Sequence, residues 1–132
     1  MPSTSKRVLV AEDNLALAHV LQFNLERNGF DVTVAHDGSE AWELSQRETF
    51  DVVVTDHEMP KMTGIELCER LRELPEYKST PFVMVTARAL ELDIAALQQR
   101  LGLAAIMPKP YSPEELLNTV EKLLAEEVTS SQ

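Results

Sequence analysis

Short apolar runs alternate with helical periodicity along nearly the whole chain. Arg7–Ala11, Val52–Asp56 and Phe82–Thr86 each hold a cluster of β-branched and aliphatic residues, and each is too short for a helix. The run Val52-Val53-Val54-Thr55 has no polar interruption, which suits a strand buried on both faces. Asp31–Ala35 alternates Val32 and Val34 with polar residues and reads as a strand near a sheet edge, while Ala105–Met107 reads as a brief last strand. Between them lie the helices. Asn14 or Asp13 caps one from about Leu15 to Asn28, with Leu17, Val20, Leu21 and Leu25 on its inner face and Gly29 as the residue that ends it. Asp37-Gly38 turns the chain into a short helix capped by Ser39 that runs to about Arg47, with Trp42 as a packing residue. A third spans about Ile65 to Leu74 and stops at Pro75, and a fourth spans Leu90 to Leu101 and closes at Gly102. Ser112-Pro113-Glu114-Glu115 is a capping box, and Leu116, Leu117, Val120, Leu123 and Leu124 then form the clearest amphipathic stripe. Five strands alternating with helices predict a parallel sheet covered on both faces, with right-handed crossovers.

The polar residues at the ends of these runs change the picture from fold to chemistry. Glu12 and Asp13 follow the first run, Asp56 closes the third strand, Thr86 closes the fourth, and Lys109 follows the last through Pro108. Open parallel sheets bind ligands at the carboxyl ends of their strands, so these side chains are predicted to converge on one edge. Glu12, Asp13 and Asp56 supply hard oxygens for Mg2+, which is content with one or two carboxylates and several waters; a backbone carbonyl near Glu58 adds a further oxygen. Lys109 brings a compact positive charge and Thr86 a hydroxyl, both suited to a phosphoryl oxygen. Asp56 ends the most buried-looking strand and is the candidate nucleophile. The set points to phosphorylation of an aspartate.

Composition narrows the partners. The 132 residues fit one domain, the hydrophobic fraction of 44% argues against disorder, and the formal net charge is −10. Such a chain repels nucleic acid backbones and anionic lipid, so neither is expected as a direct partner. The single cysteine, Cys68, excludes an internal disulfide and a zinc cluster and reads as a small residue of the core. The start carries no apolar signal region and no run reaches membrane-spanning length, so a cytoplasmic protein is expected. The expected layout is a tail over 1–5, one domain over 6–127 and a frayed tail over 128–132.

Glu12-Asp13, Asp56 with Met59-Pro60 and Gly64, Thr86-Ala87 and Lys109-Pro110, in this order, closely resemble the motifs of the response-regulator receiver domain of two-component signalling, the CheY-like family. The resemblance covers about Lys6 to Glu126. It implies a doubly wound, flavodoxin-like sheet of five parallel strands in the order 2-1-3-4-5. It implies Asp56 as phosphoacceptor, Glu12, Asp13, Asp56 and the Glu58 carbonyl as the magnesium site, and Thr86 and Lys109 as the residues that sense the phosphoryl group. It implies a histidine kinase or histidine phosphotransfer protein as donor, a downstream protein as target, phosphorylation-dependent homodimerisation among the outcomes, and a cis peptide at Lys109-Pro110. The expectation is a single-domain receiver, a signalling module rather than an enzyme.

Four positions depart from the family pattern or invite separate reading. Ile106 stands three residues before the lysine, where the family usually has tyrosine or phenylalanine, so no aromatic ring can swing inward there. Glu58 fills a variable slot and is expected to tune phosphoryl lifetime, by strengthening metal binding or repositioning the attacking water. Pro108 removes a backbone donor and is expected to leave the last strand incompletely paired or at an edge. His57 is expected to point away from Asp56, toward solvent or a donor protein. Two other classes compete. Asp56-His57-Glu58 superficially matches an aspartate-nucleophile phosphatase of the haloacid dehalogenase type, but that family places its nucleophile on the first motif strand. A flavin-binding flavodoxin needs a Ser/Thr/Gly-rich phosphate loop after the first strand, where this chain has Glu12-Asp13.

Overall fold

The computed structural model describes residues 5–130, so 1–4 of the expected tail over 1–5, and 131–132 of the expected tail over 128–132, lie outside the described residues. The elements alternate as the hydrophobic pattern predicts: β1 (Arg7–Ala11), α1 (Leu15–Arg27), β2 (Asp31–Ala35), α2 (Gly38–Arg47), β3 (Val52–Asp56), α3 (Gly64–Arg72), β4 (Phe82–Thr86), α4 (Ile94–Leu101), β5 (Leu103–Pro108) and α5 (Pro113–Ser130). The strands form one sheet in the order β2-β1-β3-β4-β5, and every pair is parallel. β3 and β4 are buried at all five positions.

Strand alternation divides the core in two. Leu9, Val53, Phe82 and Met84 face Leu67, Leu71, Leu97 and Leu101 of α3 and α4. Val8, Val10, Val52, Val54, Val83 and Val85 face Leu21 and Leu25 of α1 and Leu116, Val120 and Leu124 of α5. Each such side chain, taken fully out of water, contributes roughly 1.5–3 kcal/mol before conformational entropy is subtracted. Tyr77, in a 3-10 turn (Pro75–Tyr77), is fully buried, and its hydroxyl lies 2.9 Å from both the Ser45 and Glu48 carbonyls. Arg72 ties the distal end together by donating to the carbonyls of Leu101 (2.7 Å), Tyr77 (2.5 Å) and Gly102 (2.8 Å), with its guanidinium over the Phe82 ring.

Several boundaries differ from the sequence expectation, each for a local reason. α4 begins at Ile94, not Leu90, because the Asp93 side chain accepts from the Ala96 amide and sets the cap. Asp37, not Ser39, caps α2 by accepting from Glu40 N at 2.8 Å. α3 ends at Arg72, and Pro75 opens the 3-10 turn rather than stopping the helix directly. β5 is longer than Ala105–Met107, and α5 continues to Ser130, beyond the point where fraying is expected. Val20 is exposed and Ala18 takes its place on the buried face of α1. β5 is an edge strand, but Pro108 removes no bond from the ladder. Lys109 N donates to Thr86 O at 2.9 Å; successive amides point to opposite sides, so the Pro108 nitrogen faces the open edge.

Among the described residues no helix is long and apolar enough to cross a membrane.

Candidate functional site

The sheet register brings the strand ends level. Ala11 pairs with Thr55, so Glu12 and Asp13 leave β1 beside Asp56; Asp56 pairs with Val85, and Thr86 pairs with Pro108. Glu12, Asp13 and Asp56 each offer a carboxylate oxygen, and these atoms lie within 4.8 Å of one another. Glu12 and Asp56 are each only 3% exposed, while Asp13 faces solvent. Lys109 Nζ donates to Asp56 Oδ2 at 2.8 Å, and the Lys109–Pro110 peptide is cis. Glu12, Asp13, Asp56 and Lys109 line an open cleft of about 690 Å³, walled also by Glu58 and Tyr111, whereas Thr86 is fully buried and is not among its walls.

Two helix starts position the acids. Asn14 caps α1 by accepting from Leu17 N at 3.0 Å, and its own amide donates to Glu12 Oε2 at 2.9 Å. Behind Asp56, Thr63 and Glu66 form a capping box at the start of α3. The first residue of α3, Gly64, passes so close to β3 that a Cβ there would sit 2.4 Å from the Asp56 carbonyl oxygen. Only glycine fits that approach.

The charges are uneven. Burial pushes the Glu12 carboxyl up to about 7, with the Asn14 amide pulling down and the Asp56 charge pushing up. Burial also raises Asp56, outweighing the Lys109 hydrogen bond and charge. For Lys109 burial works against the ammonium, but its hydrogen bond to Asp56 and the surrounding carboxylates raise it. Three carboxylates against one ammonium leave an excess of negative charge in a partly dry cleft. A hard divalent cation fits this donor set: all-oxygen, carboxylate-rich, with Asp13 at the solvent side.

Two side chains just past Asp56 take positions that the sequence does not reveal, and one of them, His57, departs from its expected place in solvent. The Glu58 carboxylate turns toward β4, where it accepts from Thr86 Oγ1 at 2.6 Å and from Ala87 N at 3.3 Å. It is outside the gathered set of Glu12, Asp13 and Asp56. Burial alone would raise Glu58, but hydrogen bonds from Thr86, His57 and Ala87 bring it down to about 2. The His57 side chain is not solvent-facing: it is only 13% exposed, with Nδ1 2.8 Å from Glu58 Oε2. Nothing in the periodicity signals this clamp, although an acid two residues past a strand end and a threonine at the next strand end are the partners to look for. Ile106 packs, partly buried, against the α3–α4 side of the core. Cys68 is fully buried, which pushes its thiol up to about 12 and leaves it inert.

A doubly wound parallel sheet with clustered acids, a hydroxyl and a lysine at its carboxyl edge defines an α/β module with its candidate site at the strand ends. The family model described as the response regulator receiver domain matches residues 8–121. The alkaline phosphatase synthesis transcriptional regulatory protein PhoP of Bacillus subtilis (strain 168) is 39% identical over 120 residues, covering 91% of this chain and 49% of the relative. The chain therefore spans about half the length of that curated relative. The chemotaxis response regulator CheY4 of Vibrio cholerae superposes with a TM-score of 0.83 at 32% identity, covering 90% of this chain and 98% of the other. A CheY-like receiver domain protein from Methanospirillum hungatei JF-1 superposes with a TM-score of 0.87 at 28% identity, covering 96% and 99%. The chain belongs to the response regulator receiver domain family of two-component systems.

Proposed function

We propose that Asp56 accepts a phosphoryl group from a phosphohistidine on a histidine kinase or phosphotransfer protein, in a magnesium-dependent reaction, and that the resulting switch controls binding of a downstream protein. The observation that carries this is the burial of Asp56 between Lys109 at 2.8 Å and the Glu12–Asp13 pair, with ligand oxygens within 4.8 Å. Glu12, Asp13 and Asp56, with the Glu58 carbonyl, would hold Mg2+, which when bound neutralises charge on the transferring oxygens. An Asp56 carboxylate oxygen attacks phosphorus in line, a P–O bond forms, and the P–N bond breaks with its electron pair leaving on the imidazole. Lys109 shifts its ammonium from Asp56 Oδ2 to a phosphoryl oxygen, and Thr86 donates its hydroxyl proton to another. The movement of Thr86 is passed to the turn before α4 and to β5, where Ile106 packs without an aromatic ring.

The donor must cover the mouth of the cleft. α1 starts at that mouth and presents Leu15 (59% exposed), Val20 (44%) and Phe23 (61%) outward. An apolar helical surface carrying the phosphohistidine fits this face. A signalling role in the cytoplasm belongs to the same reading. The family match favours it over a phosphatase of the haloacid dehalogenase type.

Intact-mass measurement after incubation with acetyl phosphate and magnesium tests the proposal. The expected result is gain of one phosphoryl group, stoichiometric and absent in Asp56→Asn; multiple turnover of a phosphate ester, or labelling that survives the substitution, refutes it.

A further inference from the structure

Thr86 has one hydroxyl proton, and in this structure that proton already has an acceptor. Thr86 Oγ1 donates to Glu58 Oε2 at 2.6 Å. The same Oε2 lies 2.8 Å from His57 Nδ1. An ionised carboxylate has no proton to give, so the ring nitrogen is the donor. Glu58 Oε1 takes the Ala87 amide at 3.3 Å, and the Arg88 amide donates to Thr86 Oγ1 at 2.9 Å. The Glu58 amide in turn donates to Asp56 Oδ1 at 3.3 Å. Glu58 is thus tied by its backbone to the phosphoacceptor and by its side chain to the residue that must respond.

We infer that Glu58 is a positioning residue that holds Thr86 in the resting arrangement, its carboxylate standing in for the phosphoryl oxygen that Thr86 would otherwise meet, with His57 and the Ala87 amide holding that carboxylate in place. The inference rests on the proposed phosphorylation of Asp56 and names its regulation. The two acceptors exclude each other, because one proton serves one of them. A phosphoryl group on Asp56 must therefore draw Thr86 away from a preorganised, charged partner before the switch can complete. When Thr86 leaves, the Ala87 and Arg88 amides lose their present geometry together. Those amides open the turn that leads to α4 and carries Leu90 fully into solvent. The clamp thus couples occupation of the cleft to the shape of that turn.

A double-mutant cycle on binding of the phosphoryl analogue beryllofluoride, with magnesium and followed by amide signals, tests this. Glu58→Ala is expected to tighten binding about tenfold when Thr86 is present, equivalent to about 1.4 kcal/mol. In the Thr86→Ala background the same change is expected to tighten it less than about twofold, because no proton is left to compete for. Glu58→Gln, an uncharged acceptor of the same shape, is expected to fall between wild type and Glu58→Ala. Equal tightening in both backgrounds marks a through-space charge effect and overturns the inference, as does no tightening at all. A second readout needs neither cation nor analogue. The Hα–Hβ coupling of Thr86 is expected to report one rotamer in the wild type and averaging in Glu58→Ala; one rotamer in both overturns the clamp. Failure of acetyl phosphate to label Asp56 defeats the underlying function, whereas normal labelling with an unaltered cycle defeats only the role of Glu58.

Discussion

Asp56 and Lys109 meet at 2.8 Å with the carboxylate almost wholly out of water, and each favours the charged form of the other. Removing the cationic partner leaves a buried anion beside two further acids. Lys109→Ala is expected to lower stability by about 1–3 kcal/mol in cation-free buffer at pH 8, measured by urea unfolding, with magnesium restoring part of the loss. Smaller loss without magnesium than with it would contradict that account. Residue positions were legible in the sequence to the extent that strands were. Glu12, Asp13, Asp56, Thr86 and Lys109 close or follow short apolar runs, and a parallel sheet brings such ends together. The directions of the Glu58 and His57 side chains were not legible. They depend on the path of a loop, which carries no period, and on a partner 28 residues away in the case of Thr86.

At the level of elements, the close approach of α3 to β3 makes one glycine indispensable. A Cβ on Gly64 would sit 2.4 Å from the Asp56 carbonyl oxygen, so Gly64→Ala is expected to cost about 1–3 kcal/mol and to slow labelling by acetyl phosphate. Unfolding curves and labelling rates should therefore change together. α1 makes a different prediction. Phe23→Asp is expected to slow transfer from a phosphorylated histidine donor about tenfold while leaving acetyl phosphate labelling intact, since the lost apolar contact belongs to docking alone. Equal slowing of both reactions would place Phe23 in the chemistry or the fold. Within α1, which forms as expected, the outward position of Val20 has a geometric cause. At 100° per residue Leu17, Ala18, Leu21 and Leu25 point one way, and Val20 lies about 100° from Leu21, on the outer half of the helix. β1 to β4 kept their expected limits because polar residues or turns bound each run. α4 did not, since the pattern from Leu90 onward suits a helix until the Asp93 cap is taken into account.

For the molecule as a whole, the acidic cleft links folding to pH and cation. The Glu12 carboxyl is raised from 4.5 to about 7 in the fold, so the folded state holds that proton more tightly than the unfolded chain. Stability from this group is therefore present below about 4.5 and falls as pH rises through about 7. Asp56 shifts in the same direction. Glu58 shifts in the opposite one, so its contribution is kept above about 4.5 and fades only as pH falls toward 2. Without divalent cations the melting temperature is expected to be lower at pH 8 than at pH 5.5 by about 3–6 °C, and magnesium to raise it more at pH 8. Calorimetry on wild type and Glu12→Gln checks this, because the substitution should flatten both dependences. The outer rim of β5 has its own consequence at this scale. Where Pro108 turns its nitrogen outward, a strand arriving from another chain meets a carbon ring in place of a hydrogen-bond donor. Copies of this protein are thereby discouraged from joining sheet to sheet at that border, and any association there is left to the helices that flank it.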